Sequence, residues 1–324
     1  YLNESDDSTK VSENWFYYDG HAGLDDVPTK EDLTREVKWS NVTGLSNPTT
    51  LYEYDSFGNQ TKITNANNRA TQQAYDTSAT YPISTTNAKN QTSTSSYDLG
   101  TGNLLSKTDP NGFITSYTYD VFGRISKEIK PYDSSSFPTV NYQYFNDGLA
   151  PEGTLISKRE VSGAPGTIDT YMWVDGLGRK VQTRTEAEDP LLQIVTDTFY
   201  DTTGEILKET ASHLDTVSTG YVLPISGVRN TSFSYDPLAR INIVTNPKGG
   251  VRTISYDHWK ETTIDENGHI KRQYVNAYNK INKVEEVNGV NTYATNYEYD
   301  SRDNLTKIIY ASNNISTFTY DSLG

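Results

Sequence analysis

The sequence predicts an all-β fold of tandem β-hairpins laid edge to edge as a spiralling antiparallel strip. Three observations carry the prediction. A phrase made of an aromatic-Asp pair, a Gly turn and a short apolar-polar run returns along the chain, as in Tyr54-Asp55-Ser56-Phe57-Gly58-Asn59 and Tyr119-Asp120-Val121-Phe122-Gly123-Arg124. A repeat of this kind makes each unit one supersecondary piece that needs its neighbours. Between the phrases lie short runs of alternating polarity, which suit half-buried strands. Finally, the apolar material is aromatic: 25 Tyr stand against 9 Phe and 4 Trp, and hydrophobic residues total 34%. A Tyr ring buries its body while its hydroxyl stays bonded or wet, which suits a thin sheet better than a thick aliphatic core.

Residues 1–50 form an irregular leading segment with a degenerate repeat at Tyr18-Asp19. Glu31 to Lys38 has a pattern that fits a turn or two of helix, but Thr34, Val37 and Trp39 favour a strand continuous with the repeats. The array proper runs over 51–324. Its phrases fall at Tyr54-Asp55, Tyr75-Asp76, Tyr97-Asp98, Tyr119-Asp120, Tyr200-Asp201, Tyr235-Asp236, Tyr256-Asp257, Tyr299-Asp300 and Tyr320-Asp321. Where they crowd, at 54, 75, 97 and 119, the steps are 21, 22 and 22 residues. Gly58, Gly123, Asp175 with Gly178, and Gly204 complete the signature. Tyr144-Phe145-Asn146-Asp147, Trp173-Val174-Asp175 and Tyr274-Val275-Asn276 read as degenerate copies.

One unit shows the logic. Ile114 to Tyr119 alternates, so Tyr117 and Tyr119 share a face; Asp120 to Gly123 is a turn; Arg124 to Ile129 returns. Asp bonds its own backbone in such turns and Gly supplies the left-handed position. Asn-Gly at 111–112, 267–268 and 288–289 marks further hairpin turns. At about 121–235 the steps lengthen, and Pro131, Pro138, Pro151, Pro165, Pro190 and Pro224 mark loop insertions there. Any specific contact surface is expected in those loops.

The phrase Tyr-Asp-x-x-Gly-(Asn/Arg)-(Leu/Ile)-x-Lys resembles the YD repeats of the bacterial RHS family. Asp175-Gly176-Leu177-Gly178-Arg179-Lys180-Val181-Gln182 and Asp265-Glu266-Asn267-Gly268-His269 are similar to stretches in that family, including the B component of tripartite Tc toxins. The resemblance implies a strip of hairpins forming part of a hollow shell around a C-terminal effector or toxin polypeptide. It implies as partners the remaining repeats of the shell, the encapsulated effector and other toxin-complex subunits, with surface glycans under an alternative reading as an adhesin or carbohydrate-binding module. It also implies a secreted or cell-surface setting. The family's shell is closed by a segment whose paired aspartates free the effector, and no such motif occurs here, so the sequence reads as part of a larger protein.

Composition narrows the remaining classes. The formal charge of −14 lacks the basic patch of a nucleic-acid binder, and no apolar run approaches the roughly 18 residues of a membrane span. There is no cysteine, hence no disulfide or thiolate site. Residues repeated along a chain build scaffold, whereas an active site is a unique constellation, so no enzyme, catalytic residue, cofactor or metal is expected. His21, His213, His258 and His269 lack zinc spacing, and Asp6-Asp7, Asp25-Asp26 and Glu285-Glu286 lack the alternating oxygens of a calcium loop. A glycosidase would need two carboxyl groups about 5–10 Å apart in a cleft. The Tyr-Asp pairs admit a sugar-platform reading, but cross-strand packing and turn chemistry account for both residues. The Asn-x-Ser/Thr sites at Asn41, Asn59, Asn90, Asn230, Asn304 and Asn314 are what this composition gives by chance.

Overall fold

The computed structural model describes residues 12–42, 44, 46–145 and 148–321, and among these there are 26 strands and no helix. The Asp6-Asp7 cluster, Asn146-Asp147 and the end of the last phrase after Asp321 lie outside the described residues. Glu31 to Lys38 resolves as a strand, Leu33–Lys38, in line with its β-branched pattern.

The chain divides into two compact units, Tyr1–Arg124 with Tyr299–Asn304 and Phe318–Gly324, and Ile125–Glu298 with Leu305–Thr317. In the first, consecutive strands pair antiparallel from Asn14–Tyr18 and Leu33–Lys38 through Leu104–Thr108 and Ile114–Tyr119. Burial alternates along Asn14–Tyr18, Pro82–Thr86, Thr92–Tyr97 and Leu104–Thr108, and no described residue of 12–124 is fully buried. It is a single layer of sheet, held by ladder bonds and cross-strand pairs rather than by an enclosed core.

The second unit holds every fully buried side chain among the described residues. After Ile125–Ile129 and Val140–Phe145 it runs through four strands longer than any of the first unit: Glu152–Arg159, Thr167–Val174, Lys180–Glu186 and Leu192–Tyr200. The six prolines of the long steps all fall between strands. The lengthened steps are therefore partly loop and partly extra strand.

The Asn-Gly dipeptides sit in hairpin turns, as the sequence reads, and they use two loop lengths. Gly112 N–H donates to the Asp109 carbonyl and Asp109 N–H to the Phe113 carbonyl, at 3.0 and 2.9 Å, with Gly112 at φ 85°. That is a three-residue loop with a left-handed final residue. Asn267-Gly268 repeats it from Asp265. At Asn288 the two-residue loop is Gly289-Val290, closed by the Asn288–Asn291 pair. Both ends of most hairpins thus use one device, an Asp or Asn acceptor three residues before a left-handed Gly, Asn or Ala. Asn68, Ala79, Asn90 and Ala239 take the glycine's place at φ 57°, 54°, 59° and 60°.

Candidate functional site

The repeat joint is the first candidate. At Asp120 the carboxylate Oδ1 accepts the N–H groups of Phe122 and Arg124, and Oδ2 accepts Arg124 Nε at 2.7 Å. Asp55, Asp175, Asp236 and Asp300 are wired alike, with Asn59, Arg179, Arg240 and Asn304 as the side-chain donors. Asp76 takes the hydroxyl of Ser78 and the N–H groups of Thr80 and Tyr81. Asp98 takes Gly100 and Thr101 in a loop one residue longer, and Asp201 takes Thr203 and Glu205. Gly58, Gly123, Gly178 and Gly204 sit at φ 86°, 77°, 76° and 97°, where only glycine is unstrained. These contacts stabilise the ionised carboxylates. The Ser78 hydroxyl and the Tyr81 and Thr80 amides bring Asp76 down to about 2. The Arg240 guanidinium holds Asp236 low, and the Thr101 contacts do so for Asp98.

Asp257 is a correction to the expected pattern. Tyr256-Asp257 runs into a two-residue loop, His258-Trp259, and Asp257 pairs with Lys260 across it. Its carboxylate meets Lys260 Nζ at 2.8 Å and the His258 ring at 2.9 Å, and accepts no backbone N–H of the turn kind. The loop is too short to present amides to it. Asp321 is exposed at the end of the described chain.

The tyrosines do more than fill a ladder. Tyr119 Oη donates to the Leu104 carbonyl at 2.8 Å, and Tyr200, Tyr235 and Tyr256 donate to the carbonyls of Lys180, Ile206 and Ile241 at 2.9, 2.9 and 3.1 Å. Tyr54 reaches Leu33 at 2.9 Å, Tyr75 reaches Gln60 at 3.4 Å and Tyr144 reaches Ile125 at 2.9 Å. The acceptor is each time the residue that opens the returning strand of the preceding joint. The register shifts there, as between Ser234 and Tyr235, so the regular ladder is interrupted and a side chain serves the carbonyl. Arg179 and Arg240 lie over the rings of Tyr200 and Tyr256 at 4.3 and 4.2 Å, tying each carboxylate to the next tyrosine. Tyr97 instead stacks on Tyr81 at 5.0 Å. Nothing in the one-dimensional phrase reveals the hydroxyl's partner, since that partner is about one repeat away.

The second candidate is a buried strip in the long-step region. Two cross-strand rows share one face: Gly153, Trp173, Gln182 and Asp197; and Leu155, Tyr171, Arg184 and Val195. The lack of a side chain at Gly153 lets Phe145 stack on Trp173 with centroids 6.1 Å apart, and a Cβ there would meet the indole at 2.5 Å. Residues 217–229 form no strand, and Ser218, Tyr221 and Val222 among them bond or pack onto this face. Gln182 Nε2 donates to Asp197 Oδ1 at 2.7 Å and to the Val222 carbonyl at 2.8 Å, while its Oε1 accepts Val222 N–H at 3.3 Å. Gln193 Oε1 accepts Ser218 N–H at 3.0 Å and Arg184 Nε at 2.9 Å. Arg184, 1% exposed, also bonds Asp215 Oδ2 at 3.0 Å and the Thr216 carbonyl at 2.6 Å. Tyr221 closes edge-on against Trp173 at 6.3 Å. Trp173 Nε1 and Asp197 Oδ2 are buried with no hydrogen-bond partner among the described residues.

The strand Leu192–Tyr200 explains why the cover sits here. Its second half pairs with Ile206–Thr210 and its first half with His213–Thr216, with one extra residue bulged between them. Only Ile206–Thr210 continues to the next strand, Asn230–Tyr235. The chain beyond Thr216 is thereby released from the sheet and folds over the strip. Sequence reasoning singles out the Pro-marked loops as a contact region but misses Gln182, Arg184, Gln193 and Asp197. Their signal is polar residues at the inward positions of alternating strands.

Elsewhere, Glu285 gathers Lys283, Arg272 and the Tyr274 hydroxyl. Lys283 chiefly holds its carboxyl below the usual range, against partial desolvation. Among the described residues no group of three His, Asp or Glu is placed to hold a metal ion, and no helix is long and apolar enough to cross a membrane.

Residues 97–134 match the model of the RHS Repeat. No curated protein matches the chain. Among solved structures, the crystal structure of TcdB2-TccC3 superposes with a TM-score of 0.77 at 15% identity over 97% of this chain and 22% of that one. The Photorhabdus luminescens Tc holotoxin pore gives 0.75 at 13% identity over 97% and 24%. The TcdB2-TccC3-Cdc42 structure gives 0.72 at 13% over 93% and 23%. The chain thus corresponds to under a quarter of the length of each of these relatives. It carries an RHS repeat at residues 97–134 and shares the all-β hairpin fold of these Tc toxin structures.

Proposed function

We propose that this chain is a non-catalytic wall segment of an RHS-type shell that encloses an effector or toxin polypeptide for secretion and delivery. One observation carries the reading. The polar groups of the repeat phrase that look most like chemistry are spent on the wall itself, carboxylate to its own turn and hydroxyl to the preceding repeat. A single-layer sheet joined in this way is suited to bounding a compartment. Its partners are then the remaining repeats of the same wall, the enclosed polypeptide and other toxin-complex subunits, outside the cytoplasm of the producing cell. No cofactor is required. The acidic excess of −14 favours a basic or unfolded cargo.

The test is protease protection of the downstream polypeptide in the longest natural product of the gene. The reading expects that polypeptide to survive while the wall is intact and to be digested once the wall is opened by acid. Digestion at the rate of the isolated polypeptide would refute encapsulation.

A further inference from the structure

We propose that Asn288 is a self-modification site, where the Gly289 amide converts the side chain to aspartate and isoaspartate, while Asn111 and Asn267 are locked against the same reaction. The chemistry needs only water and does not depend on encapsulation. The glycine nitrogen gives up its proton and attacks Asn Cγ, closing a five-membered imide. The bond from Cγ to the side-chain nitrogen breaks, and ammonia leaves with that proton. Water then opens the imide at either carbonyl. One opening leaves aspartate; the other leaves isoaspartate, in which the main chain runs on through Cβ and Cγ.

Access does not separate the three dipeptides. Asn111, Asn267, Asn288 and the glycines after them are all exposed, and a Cβ on Gly112, Gly268 or Gly289 would meet nothing within 4 Å. The nucleophile separates them. In a four-residue turn the last residue donates the turn bond to the first. Gly112 and Gly268 are such last residues, donating to the Asp109 and Asp265 carbonyls at 3.0 Å each. The amides on either side are held as well. Asn111 and Phe113 N–H donate to Asp109 Oδ1 at 2.8 and 2.9 Å, and Asn267 and His269 N–H to Asp265 Oδ1 at 2.9 and 2.8 Å. A bonded amide has its proton shielded from base. Three consecutive donors on one Asp also fix the peptide units that must rotate before the nitrogen reaches Cγ.

The loop at Asn288 has no such clamp. Gly289, at φ 58°, is the first of two loop residues, and the turn closes between Asn288 and Asn291. Its amide is therefore not the turn donor, and among the described residues the Gly289 N–H and the Asn288 side chain have no hydrogen-bond partner. Three residues before Gly289 stands Glu286, inside the ladder opposite Tyr293, where the other two loops have their Asp. Val290 is 99% exposed. Only the last pair of the ladder restrains Asn288, and ladder ends open most readily. Either product places a new carboxylate on the face that carries Glu286, two residues back. Isoaspartate also adds one main-chain atom to a loop of two residues, which then no longer closes on Asn291 in the same register.

The experiment ages the folded full chain in mildly alkaline buffer and follows the tryptic peptides 108–124, 261–271 and 284–302 by mass spectrometry. Fragment spectra locate the converted residue, and enzymatic methylation scores isoaspartate. Asn288 should convert about tenfold faster than Asn111 or Asn267, as expected when those two must first open a turn bond. In concentrated urea, where no turn survives, the three should convert at similar rates. Asp265→Ala removes the carboxylate that holds the Asn267 and His269 amides and should speed Asn267 severalfold, with Asn111 unchanged as the internal control of folding. Equal rates in the folded chain, or a ranking that persists in urea, would overturn the proposal. So would an Asp265→Ala chain in which Asn267 stays slow.

Discussion

Replacing Arg184 with methionine removes the guanidinium that holds the end of the strand His213–Thr216, from which residues 217–229 leave the sheet. Three contacts go at once: Gln193 at 2.9 Å, Asp215 at 3.0 Å and the Thr216 carbonyl at 2.6 Å. Two compensations remain, since Gln193 Oε1 keeps Ser218 N–H and Asp215 keeps Thr216 N–H. Partial desolvation pulls the Asp215 carboxyl upward, and the Arg184 bond and charge, the Thr216 amide and the nearby His213 together bring it below its ordinary value. Breaking a buried pair by deleting one partner costs about 3–5 kcal/mol, and the surviving contacts put this case near the lower end, about 3 kcal/mol. The loss should be local, because repeat arrays open unit by unit. Hydrogen exchange at the Ser218 and Val222 amides is the assay, with protection falling roughly a hundredfold at about 1.4 kcal/mol per factor of ten. The double variant Arg184→Met with Asp215→Leu should regain part of it, since no unpaired charge is then left. Unchanged protection in the single variant would refute the view that this pair anchors the root of the 217–229 segment.

Other outcomes rest on the same geometry. Gly153→Ala drives a Cβ into the Trp173 indole, so the ring must leave its stack on Phe145; a cost of about 1–3 kcal/mol and a changed Trp emission are expected, with urea unfolding as the check. Tyr235→Phe deletes the hydroxyl bond to the Ile206 carbonyl and should cost about 1 kcal/mol, read as a lowered urea midpoint. The joint carboxylates also set an acid limit. Asp76 falls to about 2 and Asp98 and Asp236 are lowered, while unfolded Asp titrates near 3.9. Their contribution is therefore fully present above about pH 4 and is lost as the pH falls through the folded values toward 2. Circular dichroism against pH should show the loss in that window, shifted upward in Asp236→Asn, and a flat profile between pH 4 and 2 would contradict it.

Much of this protein can be read from its residues in order. The strands, the turns and the left-handed positions are local, because alternation and Asx chemistry act over two to five residues. Hence Ile114–Tyr119 and the Asp120 turn stand where the pattern puts them. Asn111-Gly112 marks its hairpin turn, but the same dipeptide serves two loop lengths, and only the partner of Asp109 N–H tells them apart. Tertiary structure decided everything that depends on which repeat lies beside which. The hydroxyl of Tyr119 finds its acceptor 15 residues back, at Leu104. Gln182 meets Val222 from 40 residues away, only because the bulge after Ile206–Thr210 frees the later chain from the sheet. Local backbone chemistry is written in adjacent residues; the fate of a side chain is settled by whatever folding brings opposite it.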